Sequence, residues 1–258
     1  MLGRNKKKKS SRSDYSPKML LNENTPFAVT EAYKTLRTNT IFTLAAVAHD
    51  APHRNIFAVT SSVPGEGKSL TSANLAISFS QTGSRVLLVD ADMRKPVQHR
   101  TFGIDNDTGL STVLLALDKM ASMIHKNVRP GLDIITSGPI PPNPSELLGS
   151  RMMSDLIKRL SAEFDYIIVD LPPVTTVVDP IAVSPNLDGI LLVVRHTYTK
   201  KRLLNQAMRQ LRFANVRVLG FVYNGYSKHS SGYYRRKNKK ADKEYSSGDK
   251  YYSDYYKR

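Results

Sequence analysis

The chain has 258 residues, with 38 Lys and Arg against 22 Asp and Glu for a formal charge of +16, and it contains neither cysteine nor tryptophan. The lack of cysteine excludes disulfide frameworks, zinc ribbons, iron-sulfur clusters and thiol nucleophiles, and is compatible with a reducing compartment. No apolar run approaches the roughly 20 residues of a membrane-spanning helix, and none near residue 1 has the form of a signal peptide, so a cytoplasmic chain is expected.

The charge is concentrated at the ends. Residues 1–18 carry seven basic side chains and one acid, and residues 226–258 carry ten basic and four acidic, which leaves a surplus of only +4 for the stretch between. Both ends are poor in Leu, Ile and Val, and cannot bury enough apolar surface to offset chain entropy, so both are expected to be disordered. The run Lys6 to Lys9 suits either a solubilising arm or attraction to an anionic membrane surface or another polyanion. No nucleic-acid partner is expected, because the middle of the chain shows no comparable basic surplus. A single folded domain is placed at residues 19–225.

In chain order, that middle alternates between two kinds of segment. Asn55–Thr60, Arg85–Val89, Leu132–Thr136, Tyr166–Val169, Gly189–Val194 and Arg217–Val222 read as strands buried on both faces. Lys68–Gln81, Leu110–Ile124, Pro144–Ala162 and Lys200–Phe213 have the length and spacing of helices. Alternation of this kind predicts an α/β fold: a doubly wound, mostly parallel sheet with helices on both faces, whose ligands sit beyond the carboxyl ends of the strands.

The first strand runs directly into Ser62-Val63-Pro64-Gly65-Glu66-Gly67-Lys68-Ser69-Leu70, and a helical pattern follows. This is a phosphate-binding loop in its expected setting. Glycines let backbone N–H groups face phosphates, the helix N-terminus adds partial positive charge, Lys68 reaches the β and γ oxygens, and the Ser69 hydroxyl can ligate Mg²⁺. Ser62 stands where the usual first glycine would be. Two later strands end in acids, Asp90 with Asp92 close behind, and Asp170. A lone acid there is usually a turn residue or cap. Three of them beside a phosphate loop form a set able to order Mg²⁺ and its waters, and to supply a base for an attacking hydroxyl. The residues alone do not decide which acid is the base. Asn224, at the end of the last strand, is a candidate for touching adenine or for capping a turn.

The loop Ser62–Ser69, the segment Leu87-Leu88-Val89-Asp90-Ala91-Asp92-Met93-Arg94 and the segment Ile167-Ile168-Val169-Asp170-Leu171-Pro172 resemble the Walker A, A′ and B motifs of bacterial tyrosine kinases. The resemblance runs from about Thr30 to Gly225, and within the family points to the capsular or exopolysaccharide type in which the kinase is a separate cytoplasmic chain. It implies ATP and Mg²⁺ as cofactors, Asp90 as base, and Asp92 and Asp170 ordering the metal with Ser69. It also implies a membrane activator of the polysaccharide co-polymerase type, recruitment to the inner face of the membrane, and a ring-forming homo-oligomer. The segment Glu31-Ala32-Tyr33-Lys34-Thr35-Leu36-Arg37 resembles the family's Glu-x-x-Arg-x-x-Arg contact helix, with Lys34 in place of the first arginine; a solvated helical face is the other reading.

Eight of the 13 tyrosines fall in the last 33 residues: Tyr226, Tyr233, Tyr234, Tyr245, Tyr251, Tyr252, Tyr255 and Tyr256. The last seven are the expected autophosphorylation sites, delivered in trans to a neighbouring copy. Each phosphate would add roughly −1.5 to −2 charge and reverse the sign of the tail. Two other classes fit the loop. One is a partitioning-type ATPase, which usually carries an additional lysine where this chain has Ser61-Ser62-Val63. The other is a non-catalytic nucleotide-sensing adaptor.

Overall fold

Seven short runs rich in Val, Ile and Leu meet in one sheet. The computed structural model describes residues 19–47 and 55–226; the basic arm 1–18 and the tail from Tyr233 onward lie outside the described residues. The elements are α1 (Phe27–Val47), β1 (Ile56–Ser61), α2 (Lys68–Ser80), β2 (Val86–Asp90), α3 (Gln98–Phe102), α4 (Leu110–Val113), β3 (His125–Arg129), β4 (Leu132–Ile135), α5 (Pro144–Leu148), α6 (Arg151–Glu163), β5 (Tyr166–Asp170), α7 (Asp179–Val183), β6 (Gly189–Arg195), α8 (Lys201–Phe213) and β7 (Val218–Asn224). The strand order is β3-β4-β2-β5-β1-β6-β7. Every pairing is parallel except that of β3 with β4. From β1 the chain winds to one side through β2 and β4, returns at β5, and crosses to the other side through β6 and β7. This is the expected doubly wound fold.

Alternation along the strands divides the core in two. Ile56, Ala58, Leu87, Val89, Ile167 and Val169 face one layer with Leu156, Ile157 and Leu160 of α6 and Ala207 and Leu211 of α8. Phe57, Val59, Val86, Leu88 and Ile168 face the other, with Leu75, Ala76 and Phe79 of α2 and Leu44 of α1. Phe79 sits between two rings, 5.8 Å from Phe57 and 4.5 Å from Tyr166, centroid to centroid. Helix α2 is buried on nearly all sides because α1 covers it. Its Asn74 satisfies the chain before α1: Oδ1 accepts from Leu21 N–H at 2.8 Å and Nδ2 donates to the Met19 carbonyl at 3.2 Å.

Several expectations are corrected. The segment 110–124 is not one helix. It is α4 followed by a 3₁₀ turn at Leu117–Met123. The segment 144–162 is also broken, where Gly149 ends α5 and Ser150 caps α6. The strand at His125–Arg129 is not one the sequence predicts, because its polar residues carry no apolar run; it forms an antiparallel edge on β4. The last strand starts at Val218, runs through Asn224, and as the opposite edge exposes Phe221 and Tyr223 instead of burying both faces.

The Ser150 hydroxyl accepts from Met153 N–H at 3.2 Å, supplying one partner for the otherwise unpaired first turn of α6. Ser150→Ala is expected to lower the unfolding free energy by about 1 kcal/mol with the same denaturant slope. Urea titration checks both quantities.

Candidate active site

The central three strands place the chemistry. In β2 and β5, Asp90 is the direct partner of Asp170, and in β5 and β1, Asp170 is the partner of Val59. Two carboxylates therefore end neighbouring strands side by side, and the loop leaving β1 lies next to them. Gly65 has φ 84° and Gly67, the residue before α2, has φ 91°. A Cβ at Gly67 would lie 2.1 Å from Asn224 Nδ2, so side chains are excluded there by both conformation and space. Ser62 is not among the residues with positive φ, which explains why that position needs no glycine. Its carbonyl accepts from the Thr175 hydroxyl at 2.6 Å.

Among the described residues the N–H groups of Gly65 through Leu70 make no hydrogen bond, while Thr71 N–H begins the helical pattern by donating to the Gly67 carbonyl at 2.9 Å. The loop is thus a cradle of unpaired donors at a helix N-terminus, suited to phosphate oxygens. The Glu66 side chain does not face such a ligand. It is buried, accepts from Val63 N–H at 3.1 Å, and receives the Thr199 hydroxyl. What Glu66 offers a nucleotide is its backbone N–H. Pro64 and Gly65 are held from the β6–α8 connection, where Tyr198 Oη donates to the Pro64 carbonyl at 3.1 Å and Arg195 Nη1 to the Gly65 carbonyl at 2.7 Å. Asn224 Nδ2 donates to the Glu66 carbonyl at 2.9 Å, which makes it a pin on the loop.

Lys68 draws the cluster together. Its Nζ lies 2.7 Å from Asp92 Oδ2, 3.0 Å from Ser69 Oγ and 3.6 Å from Asp170 Oδ1. Burial opposes its charge, but Asp170 and Asp92 more than compensate and hold the ammonium firmly protonated. Asp90 is fully buried; Oδ2 accepts from Val97 N–H at 3.1 Å and Gln98 N–H at 2.9 Å. Burial, with the charge of Asp170 beside it, pushes its carboxyl up to about 7, against the pull of the Gln98 N–H and Lys68. Burial also raises Asp170, against the lowering effect of Lys68. The buried Asp170 Oδ1 has no hydrogen-bond partner among the described residues. A carboxylate oxygen whose nearest cation is the Lys68 ammonium at 3.6 Å, in one cluster with Ser69, fits a hard cation that shares its shell with phosphate oxygens. The described residues contain no group of three or more His, Cys, Asp or Glu that would hold a metal unaided.

Two features had no signal in sequence spacing. Gln98, fully buried at the start of α3, donates from Nε2 to Asp170 Oδ2 at 2.8 Å, to the Ser69 carbonyl at 2.9 Å and to Ser72 Oγ at 3.1 Å. It ties the second carboxylate strand to α2. Arg94 forms a two-pronged pair with buried Asp179 at the start of α7, at 2.8 and 2.9 Å. That pair fastens the segment after Asp92 to the segment after Asp170. The segment Glu31–Arg37 is helical, within α1, as expected. Lys34 Nζ meets Glu31 Oε1 at 2.8 Å on the exposed face, whereas Arg37 turns inward and donates to the Ser78 carbonyl of α2.

A glycine-bearing loop at a helix N-terminus, an invasive lysine and paired strand-end carboxylates define a P-loop nucleotide-binding protein. A family model described as an AAA domain matches residues 54–212. Over 210 residues the chain is 42% identical to Tyrosine-protein kinase YwqD of Bacillus subtilis (strain 168), covering 80% of this chain and 86% of that protein. It is 33% identical over 212 residues to Tyrosine-protein kinase etk of Escherichia coli (strain K12), covering 82% of this chain but 28% of that longer protein. Among solved structures, the kinase domain of Escherichia coli tyrosine kinase ETK superposes with a TM-score of 0.71 at 33% identity, over 81% of this chain and 83% of that one. The chimerical protein CapA2B2 gives 0.72 at 36% identity, over 80% and 87%. The chain belongs to the bacterial tyrosine-protein kinases, and its enzyme class is that of a protein-tyrosine kinase.

The raised carboxyl of Asp90 has a consequence for stability. A folded-state value near 7 lies above the ordinary 3.8 of an aspartate, so the stabilisation from its proton is complete below about 3.8 and is lost as pH rises through about 7. The melting temperature of Asp90→Asn relative to the parent is therefore expected to climb from pH 4 to pH 7 and level off above. Calorimetry on nucleotide-free protein across that range checks it; a constant difference would contradict the assigned shift.

Proposed function

We propose that the chain transfers the γ-phosphoryl group of ATP to tyrosines of its own tail, Tyr233, Tyr234, Tyr245, Tyr251, Tyr252, Tyr255 and Tyr256, and so regulates capsular or exopolysaccharide synthesis or export. The observation that carries this reading is the pairing of Lys68 with Asp92 and Asp170 over a loop of unpaired N–H groups, with Asp90 alongside. In the step itself a tyrosine Oη attacks the γ-phosphorus, its proton passes to the carboxylate of Asp90, and the bond from the γ-phosphorus to the bridging oxygen breaks to release ADP. Lys68 supplies charge to the β and γ oxygens. The loop N–H groups of Gly65, Glu66, Gly67, Ser69 and Leu70 orient the phosphates. Ser69, Asp92 and Asp170 would hold Mg²⁺, which when bound neutralises charge on the phosphates. Gln98 keeps Asp170 oriented toward that position.

The wider setting follows from the family resemblance. A membrane activator of the polysaccharide co-polymerase type would recruit the cytoplasmic chain to the inner face of the membrane, and copies would assemble through α1 into a ring. No described helix is long and apolar enough to cross a membrane, in keeping with attachment through a partner. The contact between Arg37 and Ser78 within one subunit means that Arg37 also serves the fold, so Glu31 and Lys34 are the better probes of assembly.

Transfer between copies is tested by mixing a Lys68→Met chain bearing an intact tail with an active chain whose seven tail tyrosines from Tyr233 onward are Phe. Phosphate is expected on the inactive chain, while Lys68→Met alone should lose on the order of 10²-fold or more in rate. No label on the inactive chain, while an active chain with its own intact tail is labelled in a parallel reaction, would place transfer within one subunit. For assembly, the exchange Glu31→Lys with Lys34→Glu preserves the pair within the helix but inverts what a neighbour meets. Sedimentation is expected to show smaller particles with an unchanged melting temperature.

A further inference from the structure

Helix α8 (Lys201-Arg202-Leu203-Leu204-Asn205-Gln206-Ala207-Met208-Arg209-Gln210-Leu211-Arg212-Phe213) contains no acidic residue. Ala207 and Leu211 are buried, and Leu204 and Met208 pack against the core, which fixes the opposite face outward. At about 100° per residue, Lys201, Arg212, Asn205, Arg209, Arg202 and Phe213 occupy an arc of roughly 120°. All six are exposed. Lys201, Arg202, Arg209 and Arg212 form no ion pair among the described residues. Lys200, just before the helix, and Arg217, four residues past it, are exposed basic residues as well. Asp188, which lines a cleft with Ala214 and Arg217, turns Oδ2 to the Ile56 N–H at 2.8 Å. By contrast, α6 mixes signs, with Arg151 and Asp155 3.8 Å apart, and α1 pairs Glu31 with Lys34.

At the end of the stripe stands Phe213, 92% exposed, the most exposed of the large hydrophobic side chains among the described residues. A ring presented to solvent beside four unpaired cations has the composition of an interfacial docking face. The cations meet anionic headgroups and the ring enters the boundary between headgroup and acyl chain. A duplex of nucleic acid would use the cations but would gain little from the ring. The lysine-to-arginine span, from Lys201 to Arg212, is about 17 Å at 1.5 Å per residue, a footprint for several headgroups and too short to enter a bilayer lengthwise.

We propose that the outward face of α8 is a peripheral docking site for anionic phospholipid, with Lys201, Arg202, Arg209 and Arg212 as headgroup contacts and Phe213 as the inserted side chain. The site is separate from the kinase centre and does not depend on the tail or on the phosphoryl-transfer assignment. Its N-terminal end follows β6, whose Arg195 holds the nucleotide loop, so docking would orient the carboxyl edge of the sheet relative to the membrane plane.

The test uses the full chain, with both basic ends intact in every variant, and measures co-sedimentation with vesicles of phosphatidylcholine alone, vesicles containing 30% phosphatidylserine, and a 30-base-pair DNA duplex. Each basic side chain near an anionic leaflet contributes about fivefold to binding. The triple variant Arg202→Gln, Arg209→Gln, Arg212→Gln is expected to bind phosphatidylserine vesicles at least tenfold more weakly, the corresponding triple Arg→Lys variant is expected to retain binding, and melting temperature and tyrosine phosphorylation should be unchanged in both. Phe213→Ser should weaken vesicle binding severalfold and leave duplex binding as it was. Undiminished vesicle binding by the triple Gln variant would overturn the proposal. So would a loss confined to the duplex, which would make the face a nucleic-acid site, or a Phe213→Ser variant indistinguishable from the parent on vesicles.

Discussion

One ammonium group among three carboxylates sets the terms for everything around it. Lys68 is almost buried, and Asp90 and Asp170 are completely so. Taking such charges out of water is tolerable only when each is paired or hydrogen-bonded. The surroundings meet that requirement: Asp90 takes the N–H groups at the start of α3, Asp170 takes the Gln98 amide, and Asp92 takes Lys68 together with the Lys95 N–H at 3.1 Å. The ammonium proposed to meet the phosphates of a nucleotide is already engaged by Asp92. In that proposal phosphate binding would exchange the partners of Lys68, and the acids it left behind would need a replacement cation. Metal and nucleotide would then be coupled through this one side chain.

The sequence made the central strands and the phosphate loop legible because they obey local rules. Uninterrupted short runs of β-branched residues and Leu such as Val86–Val89 and Ile167–Val169 read as strands buried on both faces, and a glycine-rich turn between strand and helix has few other uses. The edges were less legible. Polar β3 is held by its pairing with β4, which no periodicity in His125–Arg129 announces. The break at Gly149 and Ser150 depends on a cap hidden inside a stretch of good helix formers. Among site residues, those with charge at a strand end could be found by position. Gln98 could not, since a neutral amide eight residues past Asp90 has no spacing rule, and its role appears only when α3 is folded over α2.

The loop is restrained from the second half of the chain as well as by its own glycines. Arg195, Tyr198 and Thr199 reach it from the end of β6, and Asn224 from the end of β7. These residues lie on the half of the sheet that carries α8, whereas the acids lie on β2 and β5 and just beyond. The phosphate cradle stands between the two halves, so the geometry around the nucleotide depends on how firmly both are joined to β1.

The alignment of Asp90 with Asp170 across β2 and β5 is a matter of sheet register, maintained by backbone hydrogen bonds that any residue but proline can support. Between these two positions the chain passes through α3, α4, the β3–β4 hairpin, α5 and α6, and none of that intervening length alters the separation of the two carboxyl groups so long as the register holds. The spacing of the two carboxyl groups is thereby insulated from differences in loop length and in the outer layers. A slip of one residue would be ruinous, turning Asp170 to the other face of the sheet. Changes on the surface of such a protein, including the faces that would meet partners, leave the two carboxyl groups aligned as long as three short strands keep their register.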